Sequence, residues 1–310
     1  MALKYSFKTE VNGNRQIIQP QKFKKNSKFS KQYNHNNNQI QKIFAEIESL
    51  VGLENVKKLI YEIQAYIEIQ KKRQQENLNT EPLVLHMIFK GNPGTGKTTM
   101  ARCIARLFKE LDVLKKGHVI EIERADLVGE YIGHTAVKTR EQIQRAIGGV
   151  LFIDEAYSLA RGGEKDFGKE AIDCMVKAME DYKDQLILIL AGYKKEMEWF
   201  LQTNPGLRSR FPIHIDFPDY SITELIEIAE LMLKQRQYRL TTDAKHLLKS
   251  TIQNKMILGH EHSGNARMVR NLIEKAIRLQ AVRLIEFNQL SRDDLILITR
   301  NDIEEASRAV

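Results

Sequence analysis

Two short stretches carry residue types whose spacing suits phosphate chemistry. Gly91-Asn92-Pro93-Gly94-Thr95-Gly96-Lys97-Thr98, followed by Thr99, has the glycine-rich phosphate-loop pattern. Glycines let a backbone wrap closely round a β-phosphate with its amides turned inward, and a helix starting where the loop ends adds the positive end of its dipole. Lys97 is then placed to bridge β and γ oxygens, and the Thr98 hydroxyl to ligate Mg2+. The bare pattern arises by chance in roughly one chain of this size in a hundred, so a plain glycine turn is the weaker explanation. The second stretch, Val150-Leu-Phe-Ile-Asp154-Glu155, is an apolar run closed by two acids. A strand ending this way puts Asp154 beside the metal and turns Glu155 to the other side, where it can polarise a water for in-line attack on the γ-phosphate. The two matched motifs predict nucleoside triphosphate hydrolysis.

Such groups need a frame that holds them at one edge. Five short apolar runs, Val84–Phe89, Val119–Ile122, Val150–Ile153, Leu186–Leu190 and Ile213–Ile215, are separated by helix-length segments. Val- and Ile-rich runs alternating with amphipathic helices predict a parallel sheet buried on both faces, an open α/β fold with five strands. The phosphate loop falls between the first run and a helix expected over 98–110. After the third run, Ala171, Ile172, Met175, Val176 and Met179 form one helical stripe, with Lys169, Asp173, Lys177 and Asp181 facing away, which is a core pattern. Upstream, Ile43, Ile47, Leu50, Val51, Val56, Leu59, Ile60 and Ile63 recur at helical spacing around the turn Gly52-Leu53-Glu54, with a polar loop over 71–82. Beyond Phe217-Pro218 the chain reads as helices over 222–238, 242–256 and 265–287, a short strand-like run at Leu295–Ile298 and a last helix from Asp302.

Three domains are therefore expected: an arm over 1–40, an α/β nucleotide-binding subdomain over 41–218 and a mainly helical subdomain over 219–310. The net charge of +8 is concentrated in the first. Lys4, Lys8, Arg15, Lys22, Lys24, Lys25, Lys28 and Lys31 stand against Glu10, a net of +7, which leaves +1 for the rest. The arm is rich in Asn, Gln, Lys and Ser and reads as disordered or loosely docked. The longest uninterrupted apolar stretch is Leu186 to Ala191, far short of the roughly 20 residues of a membrane span. No secretory signal is evident, and the cytoplasm is the expected compartment. Cys103 and Cys174 lie far apart in helical segments and read as buried thiols in a reducing compartment.

With the phosphate loop, the acid-tipped strand, the α/β alternation and the trailing helices in place, the sequence resembles the AAA+ ATPases. More narrowly, GNPGTGKTT, ERADLVGEYIGHTAVKTR, LFIDEAYSLARGGEKDFGKEAID, NPGLRSRFP and GNARMVRNLIEKA are similar to one branch of that family. The branch includes a sporulation ATPase, red-type Rubisco activase and the ATPase of type VII secretion. The likeness covers about residues 45–290. It implies ATP and Mg2+ as cofactors, a homo-oligomeric, hexameric ring, and a protein client threaded or remodelled at the pore, in sporulation.

By that resemblance, Asn204-Pro-Gly-Leu-Arg208-Ser-Arg210-Phe matches the segment holding an arginine finger that reaches a neighbouring subunit's γ-phosphate. Arg210 is the expected finger and Arg208 its competitor. Gly264-Asn-Ala-Arg267 matches the second sensor, with Arg267 reaching the phosphate from the lid. Glu130-Tyr131-Ile132-Gly133 matches the first pore loop, and Val51 and Gly52 the segment that wraps the adenine. The first sensor, usually a polar Asn or Thr, is replaced in Leu190-Ala-Gly-Tyr193.

Other classes fit less well. A guanine-nucleotide switch needs Asn-Lys-x-Asp, but after Asn254-Lys255 position 257 is Ile. A small-molecule phosphotransferase needs neither an intersubunit arginine nor a pore aromatic. A nucleic-acid motor using the basic arm is the alternative, opposed by the near-neutral body. An adaptor with a dead site would lack Lys97, Asp154 or Glu155, and none is missing.

Overall fold

A computed structural model describes residues 36–80, 84–131, 133–162, 166–258, 265–287 and 289–309. The basic residues of the arm, all within 1–35, lie outside these, as do Ile132 and Gly264. Helix α1 (Asn36–Ser49) begins inside the stretch read as arm, and α2 (Glu54–Gln75) carries on into the stretch read as a polar loop. Lys, Arg and Gln propagate a helix well once it is nucleated, so polarity alone did not end it.

The sheet comprises β1 (Met87–Gly91), β2 (Val119–Ile122), β3 (Val150–Ile153), β4 (Ile187–Gly192) and β5 (Ile213–Phe217). Its order is β2-β3-β4-β1-β5, and every pairing is parallel. Between the strands run α3 (Lys97–Glu110), α4 (Arg124–Leu127), α5 (His134–Ala146), a 3-10 turn (Ala156–Ala160), α6 (Gly168–Asp181), α7 (Lys194–Thr203) and α8 (Pro205–Arg208). Every residue of β3 and β4 is buried, which is why those strands read as unbroken apolar runs. Strand β1 sits three residues later than its apolar run begins. Its ladders with β4 and β5 both start at Met87, the first ending at Lys90 and the second at Gly91, while Val84 is 50% exposed. Partner register, invisible in the run itself, fixes those ends.

One apolar core lies on each face of the sheet. The first joins α1, α2 and α3 to β1 through Ile47, Ile60, Phe89 and Phe108, and continues into the lid through Leu225, Val269 and Leu272. The second is built from α5, α6 and α7 through Ile143, Met175 and Phe200. In α6 the expected stripe is buried at Ala171, Ile172, Met175 and Met179, with Val176 packed at its margin. Cys103 is buried, whereas Cys174 is half-buried.

The His86 ring, 4% exposed, accepts a hydrogen bond from the Leu188 amide at 3.0 Å through Nδ1. Burial pushes its pKa down to about 4, so the ring folds neutral. Protonation in the unfolded chain near pH 6.5 then costs stability progressively as the pH falls towards 4, up to ~3 kcal/mol. The Tm of the wild type is expected to fall more steeply over that window than that of His86→Asn, and parallel curves would show that the ring is not responsible.

The lid contains α9 (Ile222–Gln235), β6 (Arg239–Leu240), α10 (Thr242–Leu258), α11 (Asn265–Leu284), α12 (Arg292–Ile296), β7 (Leu297–Ile298) and α13 (Arg300–Ala309). Ser221 opens α9 with a capping box: its hydroxyl accepts from the Glu224 amide, and the Glu224 carboxylate accepts from the Ser221 amide. The run Leu295–Ile298 divides into the end of a helix and a two-residue strand. That strand pairs in parallel with β6, which is too short to give a sequence signal. The buried Gln280 amide fixes this corner by donating to the carbonyls of Asp294, Leu295 and Leu297. The last helix starts before Asp302, because that carboxylate reaches back to the Thr299 amide and hydroxyl.

Candidate functional site

A cleft of about 500 Å3 opens where the C-terminal edge of the sheet meets the lid. Its floor is the loop between β1 and α3. Gly94 and Gly96 hold φ of 75° and 94°, left-handed values that cost glycine nothing and let the chain curl round the cleft. Gly91, Pro93, Gly94, Gly96, Lys97, Thr98 and Thr99 all line it. Asn92 and Thr95 do not. The Thr95 hydroxyl donates to the Asn92 carbonyl at 2.8 Å, and the Asn92 side chain turns outward to Asp219. Both act as scaffold of the loop.

Lys97 is buried and donates to the carbonyls of Gly91 and Asn92, each at 2.8 Å. Burial holds its ammonium below the ordinary lysine range. Asp154, Asp219 and Glu155 oppose that shift, while the Arg267 guanidinium adds to it. Two cations that repel each other across a cleft are both relieved by a polyanion between them.

Strand β3 delivers Asp154 and Glu155 to the same cleft. The Asp154 amide donates to the Ile122 carbonyl of β2 at 3.0 Å, fixing the strand end, and the Asp154 carboxylate accepts the Glu155 amide at 3.0 Å. Glu155 has φ 46° and ψ 41°, left-handed geometry that glutamate adopts at a cost of about 1–3 kcal/mol. This turn separates the directions of two adjacent carboxylates. Thr98 and Asp154 form an all-oxygen donor pair suited to a hard divalent cation. Tyr193, at the end of β4, also lines the cleft, with its ring 5.9 Å from that of Tyr157. Burial, with Glu155 next, pushes its phenol above the ordinary tyrosine value, so a phenol hydroxyl stands where the sequence already departs from the usual Asn or Thr.

The opposite wall is apolar and shared between subdomains. Leu50, Val51 and Leu53 come from the turn between α1 and α2, and Ile228, Leu231 and Met232 from α9. Gly52 stands behind Val51, against Tyr220 and Glu224, and does not line the cleft. From α11, Arg267 lines the cleft, and Arg270 joins it one turn later. The sequence reading missed Arg270, although its spacing of three from Arg267 was a usable signal. It also missed Glu123 and the three apolar residues of α9, which on sequence look like any amphipathic helix facing a core.

Arg210 lies outside the chain's own cleft, donating to Glu180 at 3.2 Å and to the Gly206 carbonyl at 3.0 Å. Arg208 is exposed nearby. Tyr131 is 67% exposed, touching His134 edge to face, and a Cβ at Gly133 would meet nothing within 4 Å.

A family model described as the ATPase family associated with various cellular activities matches residues 87–219, and one described as the AAA lid domain matches residues 221–310. The chain is 56% identical over 272 residues to stage V sporulation protein K of Bacillus subtilis, covering 86% of this chain and 84% of that one. It is 44% identical over 269 residues to the chloroplastic ribulose bisphosphate carboxylase/oxygenase activase of Cyanidioschyzon merolae, covering 86% and 91%. Among solved structures, the FIGL-1 AAA domain in complex with ADP shares the fold at 20% identity, with a TM-score of 0.56 over 84% of this chain and 83% of that one.

Proposed function

This chain belongs to the AAA ATPases, with both the AAA and the lid domain, and from its membership and the exposed Tyr131 we propose that it remodels or threads a protein client at the pore of a homo-oligomeric ring. ATP hydrolysis is the activity of its family. The client, the ring, a hexameric order, a role in sporulation and a cytoplasmic site of action are our reading. We divide the chain into an α/β unit ending near 218 and a lid from 219.

In this reading the adenine enters between Val51 and the apolar face of α9, and the loop amides and Lys97 take the phosphates. Thr98 and Asp154 would hold Mg2+, which would supply positive charge against the phosphates. Glu155 accepts the proton of the attacking water. Arg267 contacts the γ-phosphate from the lid, and Arg210 completes a neighbour's site from outside its own cleft.

The observation that carries the remodelling step is the exposure of Tyr131. A packed turn would bury such a ring, since an aromatic of this size contributes most when removed from water. An exposed ring on an open loop can instead grip an extended polypeptide without reading its sequence. The resemblance to proteins named for sporulation and for the activation of another enzyme points the same way. Tyr131→Ala is therefore expected to keep its Tm, its ATP-dependent assembly and its basal turnover, but to lose client-stimulated hydrolysis. A Tm lowered by several degrees with the client response intact would return Tyr131 to a packing role.

A further inference from the structure

Asp219 lies in the connection between β5 and α9, outside every motif described above. The Asn92 side-chain amide is 3.0 Å from each of its carboxylate oxygens, and the Asn265 amide donates to Oδ1 at 2.8 Å. Asn265 is the first residue of α11, 5% exposed, with φ 38°. Asparagine tolerates such geometry better than most residues but still needs partners to hold it there. Those partners are Asp219 and the Tyr220 amide, which donates to Asn265 Oδ1 at 3.0 Å. Beside them, the Ala266 amide donates to the Gly94 carbonyl at 3.3 Å. The first turn of α11, which carries Arg267, is thus aimed by bonds to the connection between β5 and α9 and to the phosphate loop.

The other end of the chain of bonds is also specific. The Asn92 carbonyl accepts both Lys97 Nζ and the Thr95 hydroxyl, while the side chain of the same residue holds Asp219. A phosphate that competes for Lys97 changes what Asn92 carries on its main chain, and with it the residue that grips Asp219. We propose that Asp219 is a positioning residue that links the phosphate loop to the placement of Arg267, through Asn92 on one side and Asn265 on the other. This rests on the reading of Arg267 as a γ-phosphate contact.

The test is a double-mutant cycle in the full chain with ATP, reading kcat, KM and Tm. Asp219→Ala is expected to lower kcat about tenfold, within the usual range of intersite coupling, with KM changed less than about threefold. Asp219→Asn keeps an acceptor for Asn265 but opposes an amide to Asn92, so its kcat should fall between those of the wild type and Asp219→Ala. It has the same shape and carries the comparison if Asp219→Ala loses several degrees of Tm. Combined with Arg267→Ala, either variant should be no slower than Arg267→Ala alone. Wild-type kcat in both Asp219 variants beside a slow Arg267→Ala overturns this inference alone, as does multiplication of the two losses in the double variant. Wild-type turnover in Arg267→Ala overturns the role of Arg267 itself.

Discussion

Glu155→Gln is expected to bind ATP as the wild type does and to hydrolyse it at least about a hundredfold more slowly, the low end of a general-base effect. The carboxamide keeps the size of the side chain and the backbone turn at 155, and loses only the capacity to take a proton from water. Lys97→Ala should fail one step earlier. Its ammonium is buried in the loop against two carbonyls, so its removal takes away a cation held within the phosphate loop. Equilibrium binding of a fluorescent ATP analogue separates the two: saturable for Glu155→Gln, undetectable for Lys97→Ala. Wild-type turnover by the glutamine variant would remove Glu155 from its role as base. The same variant, holding ATP without turnover, is the natural trap for capturing a client.

Arg210→Ala should bind ATP normally and lose on the order of a thousandfold in turnover, the lower range for an arginine supplied across an interface. Within its own chain Arg210 pairs with Glu180, which is 67% exposed at the side chain, and a pair this wet contributes little. The guanidinium can leave it at small cost to meet a neighbour. Mixing Arg210→Ala with Lys97→Ala protomers should restore part of the activity, because one supplies the intact loop and the other the arginine. Turnover per subunit independent of concentration, from a species monomeric by light scattering in ATP, would sink the shared site. A loss confined to Arg208→Ala would move the finger two residues upstream.

The parallel sheet was legible because its strands are buried on both faces, and only apolar β-formers survive there. β3 runs from Val150 to Ile153 in the sequence pattern and in the structure alike. The ends of β1 were not legible, since Met87 and Gly91 are chosen by partners more than a hundred residues away. At the site, the phosphate loop, Asp154 and Glu155 announce themselves by spacing along one segment. Asp219 and Asn265 do not, because their meaning arises from the meeting of segments 46 residues apart. Arg267 could be found only by likeness to relatives, and Ile228 and Met232 serve the cleft with side chains that any core helix would carry.

The left-handed backbone at Glu155 has a bearing on how this chain can decay. Glycine or asparagine would sit there with less strain, so the residue proposed as base is held against the preference of its own main chain. Folding and turnover pull in opposite directions at this one position. In a gene copy freed from the demand for turnover, exchange of Glu155 for glycine or asparagine relieves backbone strain, whereas loss of a buried sheet residue such as Phe152 is steeply uphill. A chain that has exchanged this carboxylate for glycine or asparagine is therefore expected to be a well-folded protein that binds ATP without consuming it.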